Sequence, residues 1–153
     1  MNVAILVQDL VERFLTNNPF LICEKLNISV VKAKLPANIN GFFRREGDEK
    51  VIVLNSLLDD QKATFCCAHE LGHAIMHDKL NSVFLSSNSL FRTEKFETQA
   101  DTFAAYLLFD DASILYDRLG ICTPEQIASY YGVDKRIIKL RYESDLYESA
   151  LKY

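Results

Sequence analysis

The stretch Phe65-Cys66-Cys67-Ala68-His69-Glu70-Leu71-Gly72-His73-Ala74-Ile75-Met76 decides how this chain is read. Its two histidines are spaced i, i+4, which on an α-helix puts them on one face, a turn apart. Two imidazole nitrogens can then aim at a single metal ion. Glu70 sits between them in sequence, so its carboxylate can act on water instead of ligating. That is the ligand-and-base layout of a helix-borne HExxH zinc peptidase site. The spacing also arises by chance on core and surface helices, so its surroundings matter. The chain has three His, at 69, 73 and 77. The flanking residues are largely apolar and predict a buried helix. A buried His pair needs partners, and one metal ion would satisfy both rings.

A catalytic zinc takes three protein ligands and keeps a position open. The best source of the third is Thr93-Glu94-Lys95-Phe96-Glu97-Thr98-Gln99-Ala100-Asp101, which continues through Phe103, Ala104, Ala105, Leu107 and Leu108 and reads as a second buried helix. Glu97 and Asp101, also i, i+4, share a face. Glu97 is assigned as the third ligand. Asp101 is assigned as the acceptor that holds a His ring by its other nitrogen and so fixes its tautomer and orientation. The alternative is a solvated acidic helix start, which suits Glu94 better. One Zn2+ per chain is expected. His77 lies about 12 Å along the axis from His69 and cannot reach the same ion from a straight helix. It is expected to be a structural partner at the helix end, where a cation is welcome.

Working outward, Val3, Leu6, Val7, Leu10, Val11 and Phe14 recur at helical spacing and predict a helix over 3–15. Asn18-Pro19 starts a short helix, with Asn as cap and Pro in the first turn. Residues 28–34 are extended, and 41–45 and 50–54 form a hairpin around Glu46-Gly47-Asp48-Glu49. The motif helix covers 59–78. Asp110 and Asp111 mark a break, and helices follow near 112–118, 124–131 and 134–146. The fold class expected is α+β: a mostly helical, zincin-like single domain over 1–153, with a small antiparallel or mixed sheet packed on the HExxH helix. The polar connection 79–92, with Val83-Phe84-Leu85 inside it, reads either as a plain connection, slightly long for its type, or as a mobile lid or groove wall.

Taken in order, these motifs resemble the ImmA/IrrE family of metallopeptidases over most of the chain. The resemblance is carried by Asn18-Pro19-Phe20 through Leu26-Asn27-Ile28, then Gly41-Phe42-Phe43, then the strand Val51-Ile52-Val53-Leu54-Asn55. Ala68 to His73 with His77 follows, and finally Phe103-Ala104-Ala105-Tyr106-Leu107-Leu108. Two positions depart from the family pattern. Asp101 stands where the family often has Asn, and Phe109-Asp110 where it often has Met-Pro; the second change is expected to alter a helix exit and leave the chemistry intact. The resemblance implies a zinc-dependent endopeptidase acting on a protein substrate, a helix-turn-helix repressor of a mobile element or stress regulon. Two other readings stay open: an antirepressor that binds its repressor without cutting it, and a zinc-stabilised DNA-binding module. The intact Glu70 favours cleavage, because binding alone needs no general base.

Composition sets further bounds. A hydrophobic fraction of 49% is ample for a core, and a net charge of −4 offers no basic field for nucleic acid or an anionic membrane. No apolar run approaches a membrane span. The first fifteen residues lack the basic start and apolar core of a signal peptide, so the cytoplasm is the expected location. Cys23, Cys66, Cys67 and Cys122 form no CxxC pair and read as buried reduced thiols. Residues 123–146 resemble a helix-turn-helix pair, with Lys135, Arg136, Lys139 and Arg141 diluted by Asp134, Glu143 and Asp145. Direct nucleic-acid binding is not expected from them; the family resemblance implies a wall of the substrate groove instead. An extended substrate is expected to add to a sheet edge within 41–54. The donor that helps the metal stabilise the oxyanion stays open among Tyr130, Tyr131, Arg92 and His77.

Overall fold

The computed structural model describes residues 1–78, 90–121 and 123–150, the side chains of 90–93 and 143–150 excepted. Its elements are α1 (Val3–Phe14), α2 (Pro19–Lys25), β1 (Ile28–Ala33), β2 (Gly41–Glu46), β3 (Glu49–Asn55), α3 (Asp60–Met76), α4 (Leu90–Leu108), α5 (Ala112–Leu119), α6 (Pro124–Tyr131) and α7 (Lys135–Ala150). Of the connection expected over 79–92, residues 79–89 lie outside the described residues, as does Cys122, while 90–92 open α4.

Local chemistry sets most of the boundaries. The Asn2 side chain accepts from the Ala4 and Ile5 amides, and Asn18 from those of Phe20 and Leu21 with Pro19 in the first turn. Asp59 caps α3 by accepting from the Lys62 amide at 2.8 Å. Thr123 and Gln126 form a reciprocal capping box at the start of α6. Gly47, at φ 59°, turns the β2–β3 hairpin.

The sheet is mixed, in the order β1-β3-β2. β3 is central, parallel to β1 and antiparallel to β2, with Phe43 opposite Ile52. The α+β class therefore stands, with the mixed form of the sheet. One buried cluster joins α1, α2, the sheet, α3 and α4, through Ile22, Ile52, Leu54, Leu71 and Phe103. A second joins the end of α4 to α5, α6 and α7, through Phe109, Leu115, Ile127, Ile138 and Tyr142. α4 contributes to both, so its packing sets where the C-terminal helices stand relative to α3. The helix exit that departs from the family pattern serves this junction. The Asp110 amide donates to the Tyr131 hydroxyl at 2.9 Å, and the Tyr142 hydroxyl donates to the Asp110 carbonyl at 2.5 Å.

Candidate metal centre

α3 carries His69, Glu70 and His73; α4 carries Glu97 and Asp101. The two helices approach closely because residue 72 is glycine: a Cβ there would lie 3.1 Å from the Cβ of Phe103. At this spacing three candidate ligands converge. His69 Nε2 and His73 Nε2 are 3.2 Å apart. Glu97 Oε2 is 3.2 Å from the first and Glu97 Oε1 is 3.1 Å from the second. A tetrahedral zinc with bonds of about 2.05 Å requires ligand atoms about 3.3 Å apart. The observed separations fit that requirement, and all three ligand atoms lie within 4.8 Å of one another.

The far side of each ring explains why these atoms suit a cation. His69 Nδ1 is 2.9 Å from Asp101 Oδ1, and a carboxylate oxygen can only accept, so His69 Nδ1 carries the proton. Its Nε2 faces the centre and is the nitrogen that offers a lone pair to a metal when its own proton leaves. His73 Nδ1 is 2.9 Å from His77 Nδ1, and His77 Nε2 is 2.9 Å from Gln99 Oε1. The consistent assignment runs outward: His73 Nδ1–H donates to His77, whose Nε2–H donates to Gln99. Once the proton that His69 shares with Glu97 is lost, three lone pairs converge, an arrangement that a divalent ion satisfies.

His77 holds the structural place expected of it, with a different charge. It caps the helix end, but not as a cation. It is buried, and burial pushes its pKa down despite the opposing pull of Gln99. A neutral imidazole is what the contact with His73 Nδ1 requires.

The carboxylates make the centre strongly attractive to positive charge. Burial alone would lower the pKa of His69, but hydrogen bonds to Asp101 and Glu97 outweigh it and push it up to about 10. Hydrogen bonds from His69 and His73 hold Glu97 well below the usual carboxylate range. Burial would raise Asp101, yet His69 and Arg136 hold it low. Glu70 goes the other way. It is 8% exposed, and burial raises its pKa against the pull of His69 and His73. A carboxylate moved towards neutrality and bonded to the Phe43 backbone is suited to shuttling a proton.

The centre opens into a cavity of about 910 Å3 between α3, α4 and the α6–α7 turn, lined in part by Phe65, Val133 and Ile137. The turn is seated on α3: Gln61 Nε2 donates to the Tyr130 carbonyl at 3.0 Å, and a Cβ on Gly132 would lie 2.6 Å from Gln61 Oε1. That seating makes the α6–α7 turn one wall of the cavity. Three of the four cations of this helical pair are matched with carboxylates of the chain, Lys135 with Glu125, Arg136 with Asp101 and Arg141 with Asp111. Beside the cavity, the strand edge expected within 41–54 narrows to β2, because β3 is central.

Sequence reasoning missed three contributors. Arg136 Nη2 donates to Asp101 Oδ2 at 2.8 Å. Gln99 holds His77. Asn55 ties down the loop into β2, donating to the carbonyls of Leu35, Pro36 and Ile39 and accepting from the Leu35 and Leu57 amides. The i, i+22 and i, i+35 separations of the first two pairs carry no local periodicity, so only the fold reveals them. The oxyanion candidates fare poorly. The Tyr131 hydroxyl is engaged with Asp110 and has its pKa pushed up to about 12 by burial. Both nitrogens of His77 are engaged, Tyr130 is half-exposed with its ring against Tyr131, and the Arg92 side chain lies outside the described residues. Cys23, Cys66 and Cys67 are buried free thiols.

The profile of the IrrE N-terminal-like domain, Peptidase_M78, matches residues 23–143. The chain is 36% identical over 140 residues to the uncharacterized immunity region protein 2 of Bacillus phage phi105, covering 92% of this chain and 89% of that protein. It is 33% identical over 132 residues to the metallopeptidase ImmA of Bacillus subtilis, covering 83% and 76%. Among solved structures it is similar in fold to a Mycobacterium tuberculosis transcriptional regulator, with a TM-score of 0.59 at 18% identity. That match covers 91% of this chain but 46% of the regulator. No described helix is long and apolar enough to cross a membrane.

Proposed function

The chain belongs to the IrrE N-terminal-like family of metallopeptidases, and from that premise we propose that it is a zinc-dependent endopeptidase whose substrate is a helix-turn-helix repressor. The observation that carries the reading is the convergence of His69 Nε2, His73 Nε2 and a Glu97 oxygen at separations of 3.1 to 3.2 Å beside the buried carboxylate of Glu70. The donor set, two imidazoles and a carboxylate, is that of catalytic zinc in peptidases. A bound zinc ion supplies Lewis acidity towards water and the scissile carbonyl. Asp101 and His77 hold the two ligand rings in register. Glu70 takes a proton from the attacking water and returns it to the leaving amine. The peptide is bound extended along the β2 edge, where the Phe43 amide already faces Glu70.

The likeness to a phage immunity region protein and the family resemblance of the motifs support the regulatory substrate. A non-proteolytic antirepressor would gain nothing from a desolvated glutamate beside the ligands, whose burial carries an energetic cost. The test is cleavage of a co-encoded repressor by the zinc-loaded protein. Wild type is expected to cut and Glu70→Gln to keep its fold and zinc without cutting. Equal cleavage by both would remove Glu70 from the mechanism. Repressor release without cleavage by both would favour the antirepressor.

A further inference from the structure

We propose that Arg136 is the second donor of this site: its guanidinium hydrogen-bonds a backbone carbonyl of the bound peptide while holding Asp101. The proposal rests on the peptidase reading. It comes from which of the described side chains are left able to reach a substrate. The Tyr131 hydroxyl is committed to Asp110 and both His77 nitrogens to His73 and Gln99. Arg136 lines the same cavity as Glu70, His69 and Glu97, and its side chain is 61% exposed. A guanidinium offers five N–H donors in a rigid plane and stays charged at any physiological pH. One of them is given to Asp101 Oδ2 at 2.8 Å, and the other Asp101 oxygen holds His69 Nδ1 at 2.9 Å. The cation is therefore one carboxylate away from a candidate metal ligand.

The geometry is set in advance. The Arg136 amide donates to Asp134 Oδ1 at 2.7 Å, at the start of α7. The α6–α7 turn is seated on α3 through Gln61, and the side chain is drawn to α4 by Asp101. A donor fixed before substrate arrives stabilises developing charge without reorganising. Lys62, the other cation lining the cavity among the described residues, stands about 10 Å along α3 from His69, at 1.5 Å rise per residue. It lacks any link to a ligand ring through Asp101.

The experiment uses a phosphinic tripeptide with apolar side chains, a tetrahedral mimic with flanking carbonyls, titrated into the zinc-loaded full chain. Wild type, Arg136→Ala and Arg136→Lys are compared, with zinc affinity measured in each. Loss of one charged hydrogen bond is expected to weaken the phosphinate about 10- to 100-fold in Arg136→Ala. Zinc affinity should change much less, and Arg136→Lys should lie between, because an ammonium cannot span both partners. Two results overturn the proposal while leaving the peptidase reading intact: unchanged phosphinate binding in Arg136→Ala, or a loss that only parallels loss of zinc. Failure of the zinc-loaded wild type to bind the phosphinate overturns both.

Discussion

Replacing Asp101 probes how far the ligand set depends on what stands behind it. Asp101 makes two charge-assisted bonds, 2.9 Å to His69 Nδ1 and 2.8 Å to Arg136 Nη2. In Asp101→Ala the His69 ring loses the acceptor that fixes its tautomer, and loss of such a partner typically costs about 10- to 100-fold in metal affinity. Asp101→Asn keeps a neutral acceptor for His69 Nδ1. Since a neutral bond contributes roughly 1 kcal/mol less than a charged one, a loss nearer fivefold is expected. Proton competition changes the pH at which the loss is seen. In the metal-free wild type, His69 holds its proton up to about 10, with Asp101 the leading favourable cause. Removing Asp101 frees that nitrogen at lower pH and offsets part of the loss there. The gap between wild type and Asp101→Ala should therefore widen as pH rises. Competition against a chromophoric chelator, at neutral pH and at about pH 9, measures this. Affinities within about threefold of each other at the higher pH would refute the argument that Asp101 orients a ligand.

The same groups make metal uptake release protons. Below about pH 10 zinc must displace the His69 proton, so affinity should rise about tenfold per pH unit and about one proton should be released, by calorimetry in buffers of different ionisation enthalpy. Zero proton release at neutral pH would contradict the site's charge. Without metal, His69 and Glu97 act as one ion pair. Its stabilisation should be complete between 4.5 and 6.5, the ordinary values of the two groups, and should fade as pH rises to about 10 or falls well below 4.5. Urea midpoints of the apoprotein across that range would show it, and a midpoint that climbs through the alkaline limb would oppose it. His77→Ala should weaken zinc about tenfold by leaving His73 Nδ1 without its acceptor, and an unchanged zinc titration would count against that link. In Gly41→Ala the new Cβ would lie 2.6 Å from the Val53 carbonyl and 2.8 Å from Cys66 Sγ. β2 must shift off α3, at a cost of about 1–3 kcal/mol in denaturant unfolding, and cleavage should fall with the displacement of Phe43 from Glu70. Full stability and activity would show that the close approach is not needed.

What the sequence disclosed follows the range of the interactions involved. His69 and His73, or Glu97 and Asp101, are four residues apart, and helical geometry alone places each pair on one face. Asn18-Pro19, Asp59 and Gly47 act on their own backbone neighbours, so the ends of α2 and α3 and the β2–β3 turn were legible. The pairing of Asp101 with His69 could be proposed because a ligating imidazole needs an acceptor. Its second partner could not, because Arg136 arrives from a helix whose position depends on how Phe109, Ile127 and Tyr142 pack. The charge state of His77, though not its structural place, was hidden for a related reason. A histidine at a helix end reads as a cation until its burial against Phe96 and Gln99 is known. The sheet edge needed strand order, and nothing in residues 41–54 says that β1 covers β3.

The most direct measurement is zinc content of the purified chain by native mass spectrometry, beside His73→Ala and Glu97→Ala. The account expects one zinc per wild-type chain and sharply weakened retention in both variants. A wild type that takes up no specific metal when zinc is supplied, or variants that hold it equally well, would contradict the three-ligand centre on which the peptidase reading stands.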